Sequence, residues 1–372
     1  MKITALIPAH NEEEVIARTI SNLRAANPDS IIVIADGCAD STAQLAEESG
    51  AIVFQRNALQ TSEVSQTSEV LGKGAALRWL FASDLAGLED PRGLFVIFDA
   101  DSTVSPNFFA EVRRAFENGA QVIQSFVSPV IPSNPSRQTD AVSKTASVLT
   151  RPAMTATTLA AYSELLSQVF DDEVRSRLGW SVPLRGTGMA FRVELLRELL
   201  PHVHTRTEDI ELSLLLAQRG VRVKFLRDAI VYDPKPQDAE RVSRQRARWL
   251  QGQMQVWRGY WKTILRLSLR GAEMWWLLSA LLLKPKTFFI VPKFVVCAVS
   301  FFLPIHFLLK LFFAFIVAAE IFYYAFGLML VPPQDRSRYA SALLRAPLYG
   351  AVWARSAITA RRERSGWLSA RH

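Results

Sequence analysis

The chain has 372 residues, is 49% hydrophobic and carries a formal net charge of +8, which is enough for one large domain or two smaller ones. The apolar excess gathers toward the C-terminal end, more than a purely soluble enzyme needs. The basic surplus sits in Arg-rich stretches beside that apolar region, with no Lys/Arg run interleaved with aromatics elsewhere, so it points to anionic lipid and not to nucleic acid. Cys38 and Cys297 lie far apart in unlike contexts, so no structural disulfide is expected and a reducing compartment fits. The opening "KITALIPAHNEE" has too short an apolar run for a secretory signal.

Short apolar runs and helical stretches alternate from residue 2 to about 127. "ITALIP" predicts a strand, then a helix over 12–26. "SIIVIAD" predicts a second strand and a helix over 40–49; "AIVFQ" a third, with a helix over 73–86. "LFVIFD" predicts a fourth, followed by a helix over 106–117, and "QVIQSFV" a fifth. This rhythm indicates a mostly parallel α/β sheet with helices on both faces. Ligands of such sheets bind beyond the carboxyl ends of the strands, where His10-Asn11-Glu12, Asp36-Gly37, Asp99 and Asp101 fall. "QTSEVSQTSEV" (Gln60–Val70) nearly repeats a six-residue unit and reads as a surface loop or a lid.

Residues 128–185 read as helical and polar after turn signals at Pro129, Pro132 and Pro135. Then come "RGTGMAFR", "TEDIELSLLLAQRG" ending at a glycine stop signal, a strand "VRVKFL" and an Arg-rich helix over about 238–262. Residues 287–331 hold about 45 residues with very few charges, against about 20 per bilayer span, so two spans are expected with the turn near Pro304, His306 and Lys310. Ten Lys/Arg lie between 241 and 286 and eight Arg after 335, which puts both flanks on the cytoplasmic side. Glu320 then faces protein or the partner span. "WWLLSALLL" (275–283) is too short to span and is expected in the interface; 338–360 reads as a basic amphipathic surface helix. The organisation expected is a catalytic domain over 1–262, interfacial helices over 263–286, a two-span hairpin over 287–331 and a basic cytoplasmic tail over 332–372.

In "FVIFDADS" (Phe95–Ser102), an extended segment would point Asp99 and Asp101 the same way, and two like charges so placed need a positive partner. They are either part of a capped loop or hard oxygen ligands for a divalent cation such as Mg²⁺ or Mn²⁺ arriving with substrate phosphates. "IADGCADST" places Asp36 and Asp40 about a glycine turn, either as turn and N-cap or as carboxylates for a nucleobase or ribose. "GKGAAL" puts Lys73 at a helix start, where anions are favoured, without the spacing of a P-loop. "TED" opens a helix: Thr207 can cap it, or Asp209 can act as a general base. "QRARW" sets Gln245, Arg248 and Trp249 on one helical face, either as a plain basic surface or as a charge for a departing diphosphate with an apolar wall for a sugar.

In this order, "IPAHNEE" (7–13), "ADGCADST" (35–42), "GKGAAL" (72–77), "DAD" (99–101), "GTGMAFR" (186–192), "TED" (207–209) and "QRARW" (245–249) resemble family 2 glycosyltransferases, the inverting GT-A enzymes that include cellulose, hyaluronan and chitin synthases. The resemblance covers roughly residues 2–262. It implies a GT-A fold, a UDP-sugar donor and a lipid-linked or glycan acceptor, as in polysaccharide or glycolipid biosynthesis at the inner or plasma membrane. It implies that Asp36 contacts uracil or ribose and that Asp99 and Asp101 hold the sugar nucleotide, Asp101 as the metal ligand. Asp209 is then the base, and Gln245, Arg248 and Trp249 line the diphosphate and acceptor side. Pro8, Asn11, Glu12, Lys73 and Glu208 fall in matched motifs and join the donor-binding set. Ala35 and Cys38 depart from the family's usual Asp-Asp-Gly-Ser pattern. Competing possibilities are a processive polysaccharide synthase working as a homo-oligomer, a nucleotide-sugar-binding regulator without catalysis, and a nucleotidyltransferase. The short membrane region weighs against the first, and intact Asp99, Asp101, Asp209 and Arg248 against the second. The third would not need "TED" or "QRARW".

Overall fold

The computed structural model describes residues 1–56, 72–83, 90, 92–131, 157–235, 239–282, 290–331 and 333–345. The duplicated segment 60–70 and the tail beyond 345 lie outside the described residues. So do 132–156, part of the stretch 128–185 read as polar helix.

Strand β1 (Ile3–Ala9), helix α1 (Ile16–Ala25), β2 (Ser30–Asp36), α2 (Thr42–Glu48) and β3 (Ile52–Arg56) open the chain. There follow α3 (Lys73–Ala82), β4 (Leu94–Ile97), a two-residue β5 (Thr103–Val104), α4 (Phe108–Glu117) and β6 (Val122–Val130). They join one eight-stranded sheet in the order β3-β2-β1-β4-β7-β6-β8-β5, where β7 is Met189–Arg192 and β8 is Val223–Pro234. The pairings β1–β2, β2–β3, β1–β4 and β6–β8 are parallel; β4–β7, β6–β7 and β5–β8 are antiparallel.

The middle of the sheet is buried on both faces because β1, β2 and β4 are apolar at nearly every position. Ile3, Ala5 and Ile7 of β1, with Leu94 and Val96 of β4, pack on one side against Phe108, Phe109, Val112 and Phe116 of α4 and Ile16, Ile20 and Leu23 of α1. Leu6, Phe95 and Ile97 turn to the other side, against α3, α6 (Val193–Leu199) and α7 (Glu208–Arg219). Each fully buried Val, Leu, Ile or Phe contributes about 1.5–3 kcal/mol. Gly220 ends α7 in the left-handed conformation, as the glycine stop signal requires.

Several boundaries differ from the periodicity reading. β6 runs on to Val130, past Pro129, because it pairs in parallel with β8 at both of its ends, Val223–Leu226 and Ile230–Pro234, with a register shift between Ser125 and Phe126. β8 therefore extends beyond "VRVKFL". The pleat of β4 ends at Ile97, and Ser102 N donates to Asp99 O at 3.2 Å. Asp99 to Ser102 is a turn, so strand alternation does not set the directions of Asp99 and Asp101.

Helix α5 spans 157–177 and contains a π-helical turn, Ser167–Asp172. The Arg-rich helix α8 (Ala239–Ser268) is followed by α9 (Ala272–Leu282). The leucines of α9 face Ile210 and Leu214 of α7 and Val256 and Ile264 of α8, while Trp275 stays outward. Its apolar surface, read from sequence as interfacial, is thus covered mostly by protein. Of the apolar hairpin, α10 (Ile290–Phe302) has 13 residues and α11 (Phe307–Leu330) has 24, or about 20 and 36 Å at 1.5 Å per residue. Among the described residues α11 alone is long and apolar enough to cross a membrane. The turn falls at residues 303–306, and Glu320 of α11 is ion-paired with Lys293 of α10, facing its neighbour as expected.

The C-terminal half of α11 is seated on α5. Tyr162 donates to the carbonyl of Tyr324 at 2.5 Å, and Phe170 lies 5.1 Å from the ring of Tyr323. Tyr339 of α12 (Pro333–Leu344) stacks on Tyr162 at 4.9 Å. Gly327 permits this approach, since a Cβ there would sit 2.5 Å from Leu166 and 2.7 Å from the Tyr162 hydroxyl. Gly327→Leu should therefore push α11 off α5 and cost about 1–3 kcal/mol, read as a lower melting temperature of the detergent-solubilised chain. Unchanged melting would show that this contact does not hold the two parts together.

Candidate active site

The loops after β1 and β2 clasp each other. His10 Nδ1 lies 2.6 Å from Asp36 O, Ala39 N donates to Asn11 Oδ1 at 2.8 Å, and Glu12 N donates to Thr42 Oγ1 at 2.7 Å. Asp40 accepts from the Thr42 hydroxyl at 2.5 Å and from the backbone of Thr42 and Glu13. Burial opposes its ionisation, but these donors prevail and hold its carboxyl below the usual value. Asp40 is thereby committed to the clasp, and Pro8 leads into it at the end of β1.

Asp36 is 1% exposed and forms a buried ion pair with Arg56 of β3 at 3.0 Å; its other oxygen lies 3.5 Å from Gly72 N. Burial lowers the Arg56 guanidinium below its ordinary value, and Asp36 counters this. Arg56 was not singled out in the sequence. Its signal was present, as an arginine ending a strand beside the one that carries Asp36.

Lys73, the first residue of α3, is the positive partner of Asp99. Its Nζ lies 2.8 Å from Asp99 Oδ1 and also donates to Gly186 O. Lys73 is 14% exposed and Asp99 46%, so the carboxylate opens to the cleft while the ammonium sits behind it. Burial works against both charges, yet the pair prevails: Lys73 lies above its usual value and Asp99 below. Thr187 holds the turn from beneath, accepting from Asp99 N at 3.3 Å with its hydroxyl 3.1 Å from Ser102 Oγ. Asp101 lies half-buried in that same turn.

Carboxylates of α7 complete the cluster. Lys73 feels Glu208 and Asp209 electrostatically, and Asp99 feels Arg248 of α8. A Cβ on Gly74 would come within 3.2 Å of the Glu208 Cβ, so α3 and α7 meet at their N-termini. Of the two readings of this motif, capping by the Thr207 side chain does not occur: it makes no side-chain capping bond. It abuts α8 at Gly252, where a Cβ would fall 2.3 Å from Thr207 Cγ2. Glu211, fully buried, accepts from His204 N and Thr205 N at 2.8 and 2.6 Å and from the Tyr260 hydroxyl at 2.6 Å. Arg206 bonds Gln251 and Gln255. Four α8 residues, Gln251, Gly252, Gln255 and Tyr260, thus latch the "TED" turn to the helix that carries Gln245, Arg248 and Trp249. None was singled out in the sequence, where Glu211 signalled only as a carboxylate in an otherwise apolar helix.

Glu208, Asp209 and Arg248 therefore lie within electrostatic reach of the Lys73–Asp99 pair, beyond the carboxyl end of β4. Asn11, Glu12 and Asp36 belong to the adjacent clasp and its buried ion pair. Trp249 stands partly exposed on α8. Beside the cluster, Lys235 at the end of β8 binds Asp233 at 2.5 Å and Glu164 of α5 at 2.7 Å. Burial, with Glu164 and Asp99 nearby, raises Asp233 to about 6 despite Lys235.

Burial lifts Glu208 to about 7; Lys73 opposes this and Asp209 adds to it. The folded value exceeds the ordinary 4.5, so the native state binds the extra proton between the two, and this group's contribution to stability falls as pH rises through that window. Glu208→Gln should therefore remove that loss of stability, read as a melting temperature that no longer falls between about pH 4.5 and 7. A melting profile unchanged by the substitution would count against the raised Glu208 value.

The family described as glycosyltransferase like family 2 matches this chain over residues 2–252. The protein MJ1222 of Methanocaldococcus jannaschii is 30% identical over 108 residues, 29% of this chain and 42% of that protein. Solved structures of glucosyl-3-phosphoglycerate synthase from Mycobacterium tuberculosis are more distant. The complex with Mn²⁺, UDP and glucosyl-3-phosphoglycerate is 23% identical, covering 64% of this chain and 72% of that chain with a TM-score of 0.38. The complex with Mg²⁺ and UDP is 22% identical, covering 64% and 71% with a TM-score of 0.38. With the family matched across the sheet, the site and the first half of α8, the chain belongs to the family 2 glycosyltransferases.

Proposed function

We propose that this protein is a membrane-attached inverting transferase that moves a sugar from a UDP-sugar onto a lipid-linked or glycan acceptor, with its catalytic domain on the cytoplasmic face of the membrane. The observation that carries this reading is the Lys73–Asp99 ion pair beyond the end of β4, with Asp209 and Arg248 within electrostatic reach of it. A site with acids and bases so interleaved can hold a diphosphate and deprotonate a hydroxyl at once.

The donor set fits a divalent cation of the Mg²⁺ or Mn²⁺ kind. No group of three or more His, Cys, Asp or Glu forms a metal cage among the described residues. Cations of this type instead take one or two carboxylates and complete their shell with water and substrate phosphate. Asp101, with Asp99 beside it, would hold the ion, and when bound it would supply Lewis-acid stabilisation of the diphosphate. The chain's own groups do the rest. Asp209 accepts the proton of the acceptor hydroxyl as its oxygen bonds to the anomeric carbon. The bond from that carbon to the diphosphate breaks on the opposite side, so configuration inverts and UDP leaves. Arg248 and Lys73 oppose the charge growing on the leaving group, and Trp249 offers an apolar wall. Asp36 and Arg56, beside Gly72, lie where the base or ribose would be read, with Asn11 and Glu12 in the neighbouring clasp and Gln245 on the acceptor side.

Two features support membrane attachment. Helix α11 is long and apolar enough to cross a bilayer and presents large side chains outward. Helix α8 also exposes Trp257 and Trp261 at 45% and 54%, beside exposed Arg258, Lys262 and Arg266, with Lys262 Nζ over the Trp261 ring at 5.5 Å. Tryptophan beside cations suits the boundary between anionic headgroups and acyl chains.

Asp209→Asn should nearly abolish transfer from a labelled UDP-sugar while leaving UDP binding intact, and retained turnover would sink the assignment of the base. Asp101→Ala should weaken Mn²⁺-dependent UDP binding. If titrations with and without chelator give the same affinity, Asp101 is not a metal ligand.

A further inference from the structure

The loop that receives Lys73 and Asp99 is held from behind by a buried ion pair outside the reacting cluster. Arg185 precedes Gly186, and its side chain is 6% exposed against 1% for Asp172. Its Nε donates to Asp172 Oδ2 at 3.1 Å, and its Nη2 donates to the same oxygen and to Ser167 Oγ at 3.0 Å. The Arg185 backbone N donates to Gln124 Oε1 at 2.8 Å, and Gln124 Nε2 donates to Thr187 O at 3.0 Å. The backbone is thus held by a buried side chain one residue before and one residue after Gly186. What this holds is the carbonyl that accepts from Lys73 and the hydroxyl that accepts from Asp99 N.

The partners of Arg185 stand on the π-helical turn of α5, of which Ser167 is the first residue and Asp172 the last. Such turns are uncommon and often lie at functional sites. This one has its own anchor: Gln168 accepts from Val127 N and donates to Val127 O, each at 2.7 Å. Loss of the ion pair would leave the turn docked on β6 and the loop backbone on Gln124, but without the side-chain tether of Arg185.

We propose that Arg185 is a positioning residue for the donor site: its fork onto Asp172 and Ser167 sets the Gly186–Thr187 backbone, and through it the directions of Lys73 and Asp99 toward the donor diphosphate. The proposal rests on the nucleotide-sugar reading of the site. It differs from a purely structural role in a measurable way. A buried ion pair is often dispensable for stability when both partners become apolar residues of similar volume. Stability and donor binding should therefore part company.

The test measures UDP binding by calorimetry with Mn²⁺, donor KM and kcat, and thermal melting, on the full-length chain in detergent. Arg185→Lys keeps the charge but lacks the planar fork, and it should raise the UDP Kd and donor KM about tenfold with a smaller change in kcat, since small misplacements of positioning groups carry large penalties. The double variant Asp172→Leu/Arg185→Met should melt near the wild-type temperature and still bind UDP weakly. Wild-type UDP affinity in Arg185→Lys, or recovery of affinity together with melting temperature in the double variant, overturns the proposal. If the wild-type chain binds none of UDP, GDP, CDP and dTDP, the nucleotide-sugar reading fails, and this assignment falls with it.

Discussion

One ion pair organises the site: the ammonium of Lys73, at the start of α3, against the carboxylate of Asp99, beyond the end of β4. It joins a helix to a turn on the neighbouring strand and brings the N-terminus of α7 within reach, since Lys73 feels Glu208 and Asp209 as well. Two carboxylates in one turn, with two more across the cleft, would repel strongly without a cation among them. Lys73 supplies that charge from the protein itself. Its amino group is nearly buried while Asp99 stays half open, so the acid remains available to a ligand.

The arrangement depends on close approaches that only small side chains allow. Gly74 lets α3 meet α7, and Gly252 lets α8 press on Thr207. Through Glu211, Tyr260, Gln251 and Gln255, the helix bearing Arg248 is tied to the turn bearing Asp209. The proposed base and the proposed leaving-group cation are therefore set by one shared contact surface. Behind the site, α5 carries Asp172 toward Arg185 on one side and Phe170 toward the apolar helix α11 on the other. The catalytic sheet and the apolar helices share this element.

The first half of the sheet was legible because its signal is local. β1, β2, β3 and β4 are short apolar runs, and each polar cluster sits at a strand's carboxyl end, as a parallel sheet requires. β7 was not, since "MAFR" is four residues long and its antiparallel place between β4 and β6 comes from pairing and not from pattern. The two-residue β5 was missed for the same reason. Strand alternation does not orient Asp99 and Asp101, because the strand ends at Ile97, ahead of both. Leucines of α9 that read as interfacial find protein instead, which periodicity cannot distinguish from lipid.

The sequence by itself determined the family, the residue types proposed to carry the chemistry and their order at the strand ends, because motif spacing and hydrophobic period are properties of neighbouring residues. It could not say which charges meet. The pairing of Lys73 with Asp99, of Asp36 with Arg56 and of Asp172 with Arg185 joins residues 26, 20 and 13 positions apart. Only packing brings such residues together, and no local pattern encodes the distance across a folded sheet.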